Sequence, residues 1–208
     1  MQSYFSYHCY GDKSMSNIKL VHSGGNSVSL TTPDSNPAAN RTIKFPDASG
    51  ILALTNGITE FDQWYLTVSK TDNTDVTANL LRNNNAGAAS QIGTGMSESS
   101  GIFTFPRTGK YLVICAAEFA INGSDNCIIN TNVTTNNSSY TTHARALDGN
   151  NGSGERAGRG TSFSFIDVTD TSQVKVKFTV NSLGSGSHLT GSNNLITTSF
   201  IFIRLGDT

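Results

Sequence analysis

The run of residues 109–121 constrains this chain more than any other stretch. Tyr111, Val113, Cys115, Ala117, Phe119 and Ile121 fall on one side of an alternating pattern, and Leu112, Ile114, Ala116, Glu118 and Ala120 fall on the other. A side-chain period of two sustained over that length dictates a β-strand. Both faces are largely apolar, so the strand is expected to be covered on both sides, as in the middle of a packed two-sheet structure. Just upstream, Phe103 and Phe105 share one face of a short extended run that breaks at Pro106. Arg107, Thr108 and Gly109 supply the turn, because proline fixes its own φ and glycine tolerates positive φ.

Other segments repeat the alternation. Residues 61–69 place Trp64, Leu66 and Val68 on one face. Residues 127–135 form a polar strand expected to face solvent on one side. Residues 161–168 place Phe163 and Phe165 inward. Val174, Val176, Phe178 and Val180 alternate with the outward Lys175 and Lys177 in the clearest strand of the chain. The closing strand, residues 195–205, has Ile196, Phe200 and Phe202 on one face and Ile201, Ile203 and Leu205 on the other, so it too needs burial on both sides. Between these strands, residues 70–100 are polar and turn-rich apart from Leu80 and Leu81. Residues 148–160, with sequence DGNNGSGERAGRG, read as a flexible surface loop. Residues 181–194 form a Gly/Ser loop.

The N-terminal part is built differently. Residues 19–30 read as strand, glycine turn and strand, and residues 43–54 repeat that plan around Pro46 to Gly50. Each hairpin is too small to be stable alone. Val28, Leu30, Ile43, Phe45, Ile51 and Leu52 therefore need burial against the main domain or against copies of themselves. Residues 1–14 are rich in aromatics without a sustained period; they read equally as an upstream extension before Met15 or as a docking peptide. A boundary is expected at residues 55–57, giving a hairpin region over 1–57 and a head domain over 58–208.

With 208 residues, there is length for one good core and a smaller appendage. Only 14% of residues are charged and the formal net charge is −1, which argues against a general nucleic-acid binder. No apolar run reaches the length of a membrane-spanning helix. The first residues lack the basic and apolar regions of a secretory signal. The three cysteines are irregularly spaced and suggest no disulfide framework, which fits synthesis in a reducing cytoplasm.

The pattern Gly-x-Phe-Thr-x-Pro-x-x-Gly-x-Tyr, carried here by Gly101, Phe103, Thr104, Pro106, Gly109 and Tyr111, resembles the signature of the tumour-necrosis-factor-like jelly roll. The branch it resembles most is the globular head of the first complement component and its bacterial and viral relatives. Two departures stand out: Phe105 occupies a position where that family often has cysteine, and Arg107 with Thr108 replaces an apolar-proline pair. The phrase Phe-Pro-Asp-Ala-Ser-Gly-Ile-Leu-Ala-Leu, within residues 17–56, resembles a segment near the start of bacteriophage fibre proteins, where three chains intertwine into a stalk. The resemblances imply an all-β protein: a jelly-roll β-sandwich of about eight strands, preceded by a small β-hairpin region and intertwined as a homotrimer. They also imply that the terminal strand lies near the trimer axis, where its second apolar face packs between subunits. Phe103, Phe105, Tyr111, Phe178, Phe200 and Phe202 are the expected core and trimer packing residues.

Candidate chemistry is sparse. Gly160, Ser162 and Ser164 do not complete a nucleophile elbow, since the last glycine is missing and no helix follows. Residues 152–158 begin G-x-G but follow no apolar strand, which removes a phosphate cradle. A calcium loop starting at Asp148 fails because position twelve is Arg159. His8, His22, His143 and His188 have no ligand spacing. No catalytic, cofactor or metal site is expected. Asp167, Asp170 and Glu118 show no pairing suited to glycoside hydrolysis. The residues expected to bind a receptor, from loops at one end of the jelly roll, are Tyr140, His143, Arg145, Arg156, Arg159 and His188; tyrosine can stack on a sugar and arginine can pair with carboxylate or sulfate.

The expected function is that of a virion structural protein: a homotrimeric bacteriophage tail fibre or spike, released by lysis. Its N-terminal region would bind other virion proteins, and its head would bind a host surface polysaccharide or outer-membrane component. A capsid-decoration or head-fibre protein without receptor binding, and a secreted bacterial lectin-like protein, are the alternatives.

Overall fold

In the computed structural model, the described residues are 18–21, 24–25, 27–30, 57–84 and 91–208. The chain divides into two units, Met1–Ala53 and Leu54–Thr208. In the first, β1 (Ile18–Val21) pairs antiparallel with β2 (Ser27–Leu30), Ile18 opposite Leu30 and Val21 opposite Ser27. Gly25, at φ +90°, supplies the turn that the two glycines imply. The second expected hairpin, the aromatic start and the faces of Val28, Leu30, Ile43, Phe45, Ile51 and Leu52 lie outside the described residues.

The second unit is two antiparallel sheets packed face to face. One has five strands in the order β10-β9-β12-β7-β6: β10 (Thr141–Asn150), β9 (Asp125–Thr134), β12 (Lys175–Asn181), β7 (Ile102–Thr104) and β6 (Ser97–Ser99). The other runs β11-β8-β14-β3-β4: β11 (Glu155–Val168), β8 (Gly109–Asn122), β14 (Ser199–Gly206), β3 (Phe61–Leu66) and β4 (Leu80–Arg82). Two short strands complete it, β5 (Gln91–Ile92) on β3 and β13 (His188–Leu189) on β8. The alternating run at 109–121 is thus a central strand with one face in the core, while its other apolar face is only half-buried within the single chain.

The core sits between the sheets, and a cluster of aromatic rings lies within it. Phe103, Phe105, Tyr111, Phe178, Phe200 and Phe202 are all buried. Phe178 stacks on Phe200 with centroids 4.1 Å apart, Phe103 lies 5.0 Å from Phe202, and Phe105 lies 4.7 Å from Tyr111. The Tyr111 hydroxyl donates to the Arg107 carbonyl at 3.0 Å, which ties the strand to the turn before it. All six rings are spent inside one chain. Of the expected core and trimer packing, the single chain accounts for the core part.

A polar clip holds one end. Asp62 and Glu60 are buried, and the backbone of the β5–β6 turn closes on them. Thr94 N and Gly95 N donate to Glu60 Oε2 at 2.9 and 3.2 Å, and Met96 N donates to Asp62 Oδ2 at 2.7 Å. Arg82 Nε donates to Asp62 Oδ1 at 2.9 Å, and Arg107 Nη2 lies 2.5 Å from Glu60 Oε1. Buried carboxylates held by several donors are costly to break, since removing the donors leaves charge without water.

Three expectations need correction. Residues 148–160 are not a loop: they are the ends of β10 and β11 joined across residues 151–154. Gly158 and Gly160 serve close approach, since a Cβ on Gly160 would stand 2.5 Å from Leu147 N and one on Gly158 would stand 2.6 Å from Ile121 Cδ1. The polar strand β9 turns Asn130 and Asn132 to the outer face, but between β10 and β12 they are covered rather than solvent-exposed, and Thr134 is buried too. Phe163 and Phe165 point outward and are 64% and 57% exposed, while Ser162, Ser164, Ile166 and Val168 of the same strand fill the interior.

Candidate functional surfaces

The outward face of the seven-stranded sheet follows from strand register. Phe165 of β11 pairs with Leu112 of β8, which pairs with Ile203 of β14, which pairs with Phe61 of β3. The next row is Phe163, Ile114, Ile201 and Gln63. Leu205, 58% exposed, extends the face along β14. Within a row, directly opposed side chains stand roughly 5 Å apart, so these residues form one continuous apolar band rather than scattered contacts.

Beyond the band, Thr161, Ala116 and Ser199 form a row of small residues. They help line a groove of about 290 Å³ shared with Ile196 and Thr197. Past this row, Arg159 Nε and Nη2 donate to Glu118 Oε2 at 3.0 and 2.6 Å. At the other end of the band Asp167 pairs with Lys110 in the ladder. The apolar rows are therefore bounded by charge at both ends, the arrangement of an interface with a dry centre and polar rim.

The sequence-expected receptor residues do not share one end of the sandwich. Tyr140 directly precedes β10, near the turn that follows β9, and Lys177 Nζ lies 4.6 Å from its ring centroid. Arg156, the second residue of β11, lies at the opposite end and holds Asp148 with Nη1 and Nη2 at 3.0 and 3.1 Å. That pair holds the Asp148 carboxyl below the usual carboxylate range. His188 is in β13, opposite Ala120 near the same end as Arg156. Arg159 sits mid-strand with Glu118. His143 occupies the irregular step in β10 between Thr142 and Ala144, and Arg145 follows it, opposite Asn130. Most of these residues are thus on strands, and they fall into separate groups: His143 with Arg145 on β10, and Arg156 and Arg159, which both meet Asp148, with His188 toward the other end. Residue type marked them as binding candidates; the topology that separates them is not written in the local sequence.

A polar shelf on the outer face of the five-stranded sheet was not anticipated. Lys177 Nζ donates to Asp75 Oδ2 at 2.7 Å and Thr179 Oγ1 to Asp75 Oδ1 at 2.5 Å. Asn132 Nδ2 donates to Thr179 Oγ1 at 2.7 Å, and Thr142 Oγ1 donates to Asn132 Oδ1 at 2.9 Å. Burial works to raise the Asp75 carboxyl, but the hydrogen bonds from Lys177 and Thr179 outweigh it and hold it below its ordinary range. The signal for this shelf was the run of asparagines and threonines in β9, read from sequence as mere exposure.

With this geometry in hand, comparison with solved structures defines the class of fold. The chain is similar to murine APRIL at pH 5.0, with a TM-score of 0.53 and 13% identity over 70% of this chain and 98% of that one. It is similar to the Eiger TNF of S. frugiperda, with a TM-score of 0.50 and 11% identity over 71% of this chain and 94% of that one. The fold is a two-sheet, tumour-necrosis-factor-like jelly roll. No protein-family model matches the sequence, and no curated protein matches it.

Proposed function

We propose that three copies of this chain associate through the apolar face of the seven-stranded sheet, and that the trimer is the head of a bacteriophage tail fibre or spike that binds the host cell surface. One observation carries the reading: β11 buries Ser162 and Ser164 and leaves Phe163 and Phe165 outside, next to Leu112, Ile114, Ile201 and Ile203. A strand that hides serines and displays phenylalanines is economical only if its outer face is also covered. Jelly rolls of this type usually form homotrimers, which supports three copies rather than two. The phage context is supported by the likeness of residues 17–56 to a segment near the start of fibre proteins. The N-terminal unit would attach to other virion proteins.

The activity is binding without catalysis. Three identical heads on one fibre convert weak contacts into avid attachment, because the second and third contacts are made at high effective concentration. The test is adsorption of the purified full chain to intact bacteria and, separately, to fibre-less and head-stripped virions. Adsorption to cells with attachment to the tail is the expected result. Firm binding to capsids without any binding to cells would replace this reading with capsid decoration.

A further inference from the structure

We infer that the outer face of the five-stranded sheet carries an acidic-saccharide subsite centred on Asn130 and Arg145, resting on the host-attachment reading above. The argument begins with register. Arg145 of β10, Asn130 of β9, Thr179 of β12 and Asp75 form one cross-strand row. Ile129 and Thr131, the neighbours of Asn130, belong to the inward face, since Ile129 lies in the core and Thr131 Oγ1 meets Ser162 Oγ at 3.4 Å across the sandwich. The Asn130 amide therefore points to the outer face.

Three observations single out this row. Asn130 is 6% exposed, and its buried Oδ1 has no hydrogen-bond partner among the described residues. Buried polar groups are almost always paired, so an orphan acceptor at a surface shelf marks a place where a donor from outside belongs. Arg145 is exposed, and among the described residues its side chain has no ion-pair or hydrogen-bond partner, although its guanidinium suits a planar, bidentate anion. At the far end, Asp75 is neutralised by Lys177 and hydrogen-bonded by Thr179, so it does not oppose an anion bound at Arg145.

The flanks fit a sugar ring. The next row along the strands is Leu147 opposite Ile128, with Leu147 56% exposed, a surface for aliphatic C–H groups. On the other side Asn132 and Thr142 offer further hydroxyl partners, near the Tyr140 ring. A saccharide hydroxyl donates to Asn130 Oδ1, and a carboxylate on the same or the next sugar pairs with Arg145. A neutral glycan would leave Arg145 unused, and a protein anchor would need more apolar area than Leu147 and Ile128 supply.

The experiment passes the full-length chain over immobilised uronic-acid-bearing bacterial capsular polysaccharides, with neutral dextran as the control. Arg145→Gln and Asn130→Leu variants run alongside, with melting temperature and native mass recorded for each. Retention on at least one acidic polymer and none on dextran is expected. Arg145→Gln weakens that retention about tenfold, the value of a charge-assisted hydrogen bond. Asn130→Leu weakens it without lowering the melting temperature, because replacing an orphan amide by an apolar group of similar size relieves a buried polar atom. A merely structural asparagine would move the melting temperature and leave retention alone. Retention unchanged in Arg145→Gln, or absent from every acidic polymer, overturns the subsite. Adsorption of the wild-type chain to whole cells separates the two claims: adsorption that survives Arg145→Gln keeps host attachment and moves its receptor site elsewhere, and no adsorption ends both.

Discussion

Phe163 lies directly opposite Ile114 across the β8–β11 ladder, and both side chains point away from the core. Ser162 and Ser164, the immediate neighbours of Phe163, point into it and are buried. This inversion links sequence to assembly. The interior of the sandwich near β11 is crowded by β10, whose backbone meets Gly160, so small side chains fit inside and large ones are placed outside.

Replacing both Phe163 and Phe165 by threonine keeps strand propensity while removing the outer rings. The double variant is expected to fold, with a far-ultraviolet circular dichroism spectrum like the wild type, and to sediment as a single chain. Phe178→Ala should behave oppositely. It removes a ring stacked on Phe200 inside the core and is expected to cost about 3–5 kcal/mol in chemical denaturation.

Gly160→Ala tests whether the glycines of residues 148–160 serve close packing. The added Cβ would stand 2.5 Å from Leu147 N and 2.8 Å from Leu147 O, backbone atoms that move only with the strand. A loss of roughly 1–3 kcal/mol is expected from such overpacking. In a flexible loop the same change would be neutral or slightly stabilising, so denaturant midpoints at unchanged slope decide between them.

The Asp75 pair gives a pH dependence with a definite sign. The folded carboxyl is held below its unfolded value, so its contribution is full above about pH 4 and is lost as pH falls through the lower, folded value. Melting temperatures of wild type and Asp75→Asn should differ most at pH 5–7 and converge on descent to pH 2–3. A difference that grows on acidification would contradict the assignment.

Cys115 and Cys127 are buried free thiols. Burial pushes Cys127 up to about 11 and moves Cys115 upward further still. Thiolate is the reactive form, so both should resist iodoacetamide at pH 8 in the native protein and react once it unfolds. Mass spectrometry in a Cys9→Ser background reads this directly.

The parts of the fold legible in sequence were those where one strand face is unambiguous. The alternation of Tyr111 to Ile121, of Val174 to Val180 and of Phe200 with Phe202 each places the inward side correctly. Reading failed where both faces carry plausible core residues. In β11, Phe163 and Phe165 compete with Ile166 and Val168, and local hydrophobicity favours the larger rings; which parity faces inward depends on how closely β10 approaches, a tertiary fact. The glycines of residues 148–160 were misread for the same reason, since close approach and flexibility use the same residue. The polar shelf was hidden because Asn130 and Asn132 look like exposed residues until β10 and β12 flank them. Residue type marked Arg145, Arg156 and Arg159 alike, but Arg156 and Arg159 are engaged with Asp148 and Glu118.

The central claim is that the Phe163–Phe165 face is covered by further copies of the same chain. Its most direct test is the native mass of the purified full chain by light scattering, at micromolar and at nanomolar concentration. The account predicts three times the chain mass at both. A single-chain mass at both concentrations would leave that apolar band open to water and would contradict the account.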